Sequence, residues 1–334
     1  MSNSLPLLSL LDLATVGRGQ PVGEALADTV TLARRADELN AFERLWFAEH
    51  HNMSRIASAA TSVLIGHVAA NTERIRVGSG GVMLPNHSPL VIAEQFGTLA
   101  ELHPGRIDLG LGRAPGTDGA TMRALRTDPR AAESFPQDVR ELQGYLADET
   151  LAEGIYAYPG RGTRVPLYIL GSSLFGAQLA AAYGLPYAFA SHFAPGALEQ
   201  AVRVYRERFT PSEQLAAPYV IAAANVIAAD DAATAAEAAE AVLRGRVRML
   251  AGRVGTGPLD DEMIAALMDT TVGAQARHML THTIVGDPGE VASGLVAFAA
   301  LADADEVMLT NPSPRLDQRV RTLEIVAGLR ETAS

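Results

Sequence analysis

The 334-residue chain contains no cysteine, which excludes disulfides, thiolate nucleophiles, thiolate metal ligands and cysteine-held iron–sulfur clusters. It contains no lysine either, so all 27 basic residues are arginine. Lysine Schiff bases, including those that hold pyridoxal phosphate, and a Walker A nucleotide loop are thereby excluded. GC-rich codon usage is the ordinary cause of such a bias and also accounts for the abundant alanine. No apolar run reaches membrane-spanning length, and the apolar first ten residues carry neither a basic segment nor a signal-cleavage pattern. No membrane is therefore expected as a partner, and the expected location is cytoplasmic. The formal charge of −11 comes without any long run of one sign, which favours solubility and argues against nucleic acid as a partner.

What is present is apolar surface: 48% of the residues are hydrophobic, enough for a large core. Length alone would suggest two domains, but a (β/α)8 TIM barrel of the α/β class uses a chain of this size as one, and a single domain over residues 1–334 is expected. Short β-branched or apolar runs alternate with longer alanine-rich amphipathic segments, the pattern of repeated βα units. The expected strands are Leu7–Leu11, Arg44–Ala48, Ile75–Ser79, Ile107–Leu111, Leu167–Leu170, Tyr187–Ala190, Val220–Ile227 and Glu306–Thr310. Between them fall helical stretches such as Glu24–Leu39, Ser58–Ala70, Leu90–Leu102, Ala132–Leu146, Phe175–Tyr183, Ala232–Leu250 and Asp317–Leu329. Sequential strand–helix order makes a closed barrel more economical than an open doubly wound sheet. Two stretches stand apart. Arg113–Pro129 is a long Gly- and Pro-containing connection, and Ala251–Pro288 is an insertion with extra helix between the seventh and eighth strands. Val254–Pro258 within it is the expected mobile segment.

The chemistry-bearing residues cluster at the ends of the expected strands. The second strand runs into Glu49-His50-His51, ionisable groups where a barrel places catalytic residues. Adjacent side chains on a strand face opposite ways, so one histidine is expected at the barrel mouth and the other against its neighbours, and the pair is not a metal site. Two satisfied histidines capping a strand are the structural alternative. The third strand ends in Gly78-Ser79-Gly80-Gly81, which implies a bulge or the close approach of a flat ligand, or else an ordinary tight turn. Ser88 and Pro89 then suit the N-cap and first turn of a helix. After the fourth strand, Gly110-Leu111-Gly112-Arg113-Ala114-Pro115-Gly116 misses the dinucleotide GxGxxG spacing, and Arg113 reads as an anion or ligand contact. Gly171-Ser172-Ser173 precedes an apolar helix, offering hydroxyls and a positive helix end that suit a phosphate; a simple N-cap serine is the alternative.

In this order, Ala48-Glu49-His50-His51, Val77 through Pro85, Gly105-Arg106-Ile107-Asp108 through Gly112-Arg113, Leu170-Gly171-Ser172-Ser173, Gly184-Leu185-Pro186-Tyr187 and Val285-Gly286-Asp287-Pro288 resemble the bacterial luciferase-like family. The likeness covers nearly the whole chain and is to the short, single-chain flavin oxidoreductases of that family. It implies FMN as cofactor, its ring across the barrel mouth and its phosphate near Ser172, Ser173 and Arg113. Flavin contacts are implied at Gly80, Gly81, Met83, Arg113, Gly171, Ser172 and Ser173, with a non-prolyl cis peptide at Gly80-Gly81. His50 is implied to act beside the flavin. The family's light-emitting enzyme has a reactive cysteine where Gly112 stands here, so light emission is not implied.

The reading that follows is a monooxygenase using reduced FMN, supplied by a separate flavin reductase, and oxygen on a small-molecule organic substrate, since no nicotinamide site is visible. An F420-dependent hydride-transferring oxidoreductase on the same fold and a non-catalytic flavin-binding protein are the alternatives. A metal-dependent hydrolase ranks last, because neither an HxH on the first strand nor a carbamylated lysine is available. Substrate identity is not legible, and a homo-oligomer is compatible with the sequence without being required by it.

Overall fold

Strands whose side chains alternate between two buried faces can close into a ring, and eight strands do so here. In the computed structural model, which describes residues 5–128, 130–149, 153–252 and 259–331, the strands are β1 (Leu7–Asp12), β2 (Arg44–Phe47), β3 (Arg76–Met83), β4 (Ile107–Gly112), β5 (Leu167–Gly171), β6 (Tyr187–Phe189), β7 (Val220–Ala228), β8 (Thr283–Gly286) and β9 (Glu306–Thr310). All pairings between them are parallel, and the ring runs β1-β2-β3-β4-β5-β6-β7-β9 before closing on β1. The fold is thus the expected (β/α)8 barrel.

Around it lie α1 (Val22–Leu39), α2 (Thr61–Ala69), α3 (Pro89–Leu102), α4 (Gly119–Ala124), α5 (Phe135–Ala147), α6 (Leu174–Tyr183), α7 (Leu198–Arg208), α8 (Ala232–Gly252), α9 (Asp261–Met268), α10 (Thr271–Met279), α11 (Pro288–Leu301) and α12 (Leu316–Glu331). The insertion between the seventh and eighth ring strands holds α9 and α10, as anticipated, and also β8, which was not. β7 is long enough to outrun β9: it pairs with β9 from Ile221 to Asn225 and with β8 from Asn225 to Ala228. An edge that would otherwise be open is covered in this way. The segment Val254–Pro258 lies outside the described residues. Among the described residues no helix is long and apolar enough to cross a membrane.

β3 differs from expectation in an instructive way. It continues through the glycines to Met83 rather than turning at Ser79, and its register against β4 shifts between Gly80 and Val82. The glycine run is a strand irregularity, and the Gly80-Gly81 peptide bond within it is cis.

Two cores result. The larger lies between strands and helices and includes Leu45, Phe47, Leu109, Leu111, Tyr187 and Phe189. The smaller fills the barrel with the residues of opposite parity, among them Leu11, Trp46, Ala48, Tyr168, Ala188, Ile221, Ala223 and Met308. Beneath this apolar plug is a charged floor. The buried Arg44 guanidinium meets Glu306 through two bonds of 2.9 and 3.1 Å, Asp108 at 2.9 Å and the Tyr168 hydroxyl at 2.7 Å. Arg76 reaches the other oxygen of Asp108, the Trp46 indole donates to Asp108 at 3.1 Å, and the Tyr219 hydroxyl donates to Glu306 at 2.6 Å. Two cations and two anions balance. Burial alone would lower the Arg44 pKa, but Glu306 and Asp108 raise it well above its ordinary value, so its charge is permanent. Burial pushes the Tyr168 hydroxyl up to about 12, which keeps it neutral.

Removing one member of such a set leaves an uncompensated buried charge. Arg44→Met is expected to lower the unfolding free energy by about 3–5 kcal/mol, and Arg44→Lys to recover little because it lacks the two-pronged geometry. Urea denaturation of the variants measures this; a loss below about 1 kcal/mol would show that the floor is not a structural anchor.

Candidate active site

The site is built at the C-terminal ends of the strands, and its organisation follows from strand parity. On β2, Trp46 and Ala48 point into the barrel while Leu45 and Phe47 point out. The same alternation carries His50 inward and Glu49 and His51 outward. The two histidines therefore separate as expected, and His51 is the one held by protein neighbours.

Its neighbour is Glu49, a residue whose role sequence reasoning did not single out. The Glu49 carboxylate is buried and accepts from His51 Nε2 at 2.8 Å, His87 Nε2 at 2.9 and 3.0 Å, the Met83 backbone N–H at 3.0 Å and Asn86 Nδ2 at 3.3 Å. Burial alone would raise its pKa, but the bonds from His87, His51 and Met83 hold it below the ordinary carboxylate value. An ionised carboxylate only accepts, so both imidazoles carry a proton on Nε2. Asn86 also donates to the Pro115 carbonyl at 3.0 Å, and the His51 N–H to the Gly116 carbonyl at 3.3 Å. Glu49 thus joins the ends of β2 and β3, and Asn86 and the His51 backbone join them to the connection after β4. Gly116 has φ of 63°, and a Cβ there would lie 2.8 Å from the Glu49 carbonyl oxygen, so only glycine fits this crossing. His51, His87 and Glu49 border a cavity of about 400 Å³ beside α2 and α3, on the opposite side of β2 from His50.

His50 has no such partner. Its Nδ1 is sealed from solvent without a hydrogen bond among the described residues, and burial pushes its pKa below the ordinary imidazole value. At neutral pH it is therefore an uncharged ring.

The wall formed by β3 and β4 presents glycines on its inner face, and neighbouring atoms pack directly against them. Gly78 and Gly80 alternate with outward residues on β3, as Gly110 and Gly112 do on β4. A Cβ at Gly80 would stand 3.0 Å from the Trp46 Cβ, and one at Gly112 would stand 2.8 Å from the Met83 sulfur. Met83 is therefore seated against the end of β4, with its N–H fixed by Glu49.

Across the next strand, Arg113, Phe175 and the serines come together. The Arg113 guanidinium lies 4.0 Å from the centroid of the Phe175 ring, in the first turn of α6. Ser173 is the N-cap of α6 but makes no side-chain capping bond, and Ser172 and Ser173 are both exposed. Gly171, the last residue of β5, packs beside Gly176 and Tyr187. Two exposed hydroxyls, the open N–H groups of a ten-residue helix and a cation converge there. Among the described residues Arg113 has no carboxylate partner.

Because Glu49 satisfies four donors from the ends of two strands, Glu49→Gln, which turns an amide N–H toward imidazole N–H donors, should lower stability by about 1–3 kcal/mol. Chemical denaturation reads this directly, and a change within about 0.5 kcal/mol would show that the hub is not needed to hold the mouth.

The family model described as luciferase-like monooxygenase matches residues 8–305. The chain is 44% identical over 332 residues to an Escherichia coli (strain K12) protein named luciferase-like monooxygenase, covering 99% of both chains. It is 37% identical over 227 residues to the N-acetyl-S-alkylcysteine monooxygenase of Bacillus subtilis (strain 168), covering 65% of this chain and 67% of that one. The crystal structure of apo-MsnO8 superposes with a TM-score of 0.87 at 31% identity, covering 99% of both chains. The chain belongs to the luciferase-like monooxygenase family and is an oxidoreductase.

Proposed function

We propose that this protein is an FMN-dependent monooxygenase, which uses reduced FMN delivered by a separate flavin reductase, together with oxygen, to oxygenate a small organic substrate in the barrel mouth. The observation that carries the reading is the meeting of Arg113 with the uncapped start of α6. The donor set there fits a phosphate: Arg113 brings a permanent charge with a forked geometry, and the Ser172 and Ser173 hydroxyls and helix N–H groups bring orientation. The flavin ring is assigned to the mouth beside the Gly80-Gly81 irregularity of β3, with Met83, Gly112 and Gly171 at the neighbouring strand ends.

When bound, the reduced flavin supplies the electrons that activate oxygen. What this chain supplies is position and environment. The apolar plug of Trp46, Ala48, Tyr168 and Met308 closes the barrel below the mouth and excludes water from beneath. His50, held neutral, donates a hydrogen bond beside the reacting groups and can pass a proton through the same nitrogen. The glycine-rich segment after β4 has neither the spacing nor the strand–helix turn of a dinucleotide site, which favours electrons arriving on flavin reduced elsewhere.

With charged hydrogen bonds of about 1.5–3 kcal/mol, Arg113→Ala should weaken FMN binding by about one to two decades and affect riboflavin, which lacks the phosphate, far less. A Ser172→Ala/Ser173→Ala double variant should lose less than Arg113→Ala. Equal losses for FMN and riboflavin, or none for FMN, would place the phosphate elsewhere.

His50→Ala should keep FMN affinity within a factor of about three while lowering oxygenation by about 10²-fold or more. An N-acetyl-S-alkylcysteine, the substrate class named for the Bacillus subtilis relative, is a suitable first trial substrate. Undiminished product formation per reduced FMN in this variant would remove His50 from the mechanism.

A further inference from the structure

Charge is unevenly distributed between the two ends of the barrel. The formal total is −11, and an acidic protein repels a dianion unless the field is reversed where the ligand enters. In a parallel barrel the loops that follow the strands all lie at the mouth end. The loops after β1, β3, β5, β6 and β9 contain no aspartate or glutamate. The loop after β2 has Glu49, buried among its donors, against Arg55. The loop after β7 has Asp230 and Asp231, of which Asp230 is paired with Arg321 and Asp231 is bonded to Thr234.

The connection after β4 is positive outright. From Arg113 to Arg130 it holds four arginines and two aspartates. Both aspartates are engaged. Asp118 caps α4, accepting from the Ala120 and Thr121 N–H groups at 2.8 and 2.9 Å. Asp128 accepts from the Arg130 N–H at 2.7 Å and faces its guanidinium at 3.6 Å. Arg113, Arg123 and Arg126 are exposed and have no carboxylate partner among the described residues.

This connection is held against the rim near both of its ends. Thr117 Oγ1 donates to the His51 carbonyl at 3.2 Å, and Thr127 Oγ1 to Asn86 Oδ1 at 3.4 Å. Arg126 sits at φ of 59° where α4 ends, with the N–H groups of Arg126 and Thr127 returning to the carbonyls of Arg123 and Met122. Such a helix ending favours glycine, so an arginine there gains charge at a cost in backbone energy.

We propose that Arg123 and Arg126 form a positively charged approach to the mouth, which draws the phosphate-bearing flavin toward Arg113. A phosphate monoester carries roughly 1.5–2 negative charges at neutral pH, and nearby cations act on it through solvent without touching it. The inference rests on the flavin-dependent reading above and adds to it the route by which the cofactor is captured. Arg113 holds the bound phosphate and so governs release, whereas Arg123 and Arg126 act before contact and govern entry.

Anaerobic stopped-flow mixing of reduced FMN with the full chain reads both rate constants. At an ionic strength of about 10 mM, where charges act over about 30 Å, Arg123→Gln/Arg126→Gln should lower the association rate constant about three- to tenfold and leave dissociation within about twofold. At about 1 M, where that range falls to about 3 Å, the difference should vanish. Reduced riboflavin should enter the wild type and this variant at the same rate. Arg203→Gln/Arg208→Gln removes the same charge from α7, which leads back from the mouth toward the start of β7, and should change the association rate by less than about twofold. An unchanged association rate in the Arg123→Gln/Arg126→Gln variant would overturn the proposal, as expected were the patch a docking face for another protein. An equal fall for riboflavin would overturn it by making the two arginines structural, and an equal fall in the α7 variant by making net charge the cause. A loss carried by dissociation would overturn it by placing them in contact with the bound cofactor. Failure of the wild type to bind reduced FMN at all would refute the flavin reading, and this inference with it.

Discussion

The contact on which the rest of the barrel depends is the buried Arg44 guanidinium, clasped by Glu306 and Asp108 at the N-terminal ends of the strands. With Arg76, Tyr168 and Tyr219 it joins β2, β3, β4, β5 and β9 and the residue preceding β7. A charge set of this kind is costly to bury and costlier to break, so it specifies which strand ends meet. Pinning the ring from below allows the opposite end to be poorly packed. His50, whose sealed Nδ1 has no hydrogen-bond partner among the described residues, is a feature that a barrel held together only at its mouth could not sustain.

Above the floor, the alternation of side chains divides labour along one strand. Outward-facing Glu49 gathers His51, His87, Asn86 and the Met83 N–H and so holds the rim. Inward-facing His50, one residue on, has no hydrogen-bond partner for its sealed Nδ1 among the described residues. The rim is satisfied so that the mouth can remain unsatisfied. The same division recurs at β5, where Gly171 is packed and the following two serines are exposed.

Much of the fold was legible because its signal is periodic. All eight ring strands were placed to within a residue or two except β3, which was ended at Ser79, although the bulge that its glycines suggested lies inside the strand. The short, half-buried β8 was missed because four residues outside the ring carry no alternation to detect. The Val285-Gly286-Asp287-Pro288 segment, noticed by likeness alone, has a physical meaning. Asp287 and Glu290 form a reciprocal capping box with Pro288 in the first turn of α11. At the site, the Arg113 guanidinium lies over Phe175, two residues beyond Ser173, and His51 is held by Glu49. The structure also brings in Glu49 and His87, which lie 38 residues apart. Such meetings are set by closure of the barrel, which no local pattern records.

The account stands on a phosphate-bearing flavin at the mouth of this barrel. The most direct test is an anaerobic equilibrium titration of the wild-type protein with reduced FMN and, separately, with F420. Saturable binding of reduced FMN with one site per chain, and F420 binding at least about tenfold weaker, is the predicted result. Tight binding of F420 with no measurable binding of reduced FMN would contradict it.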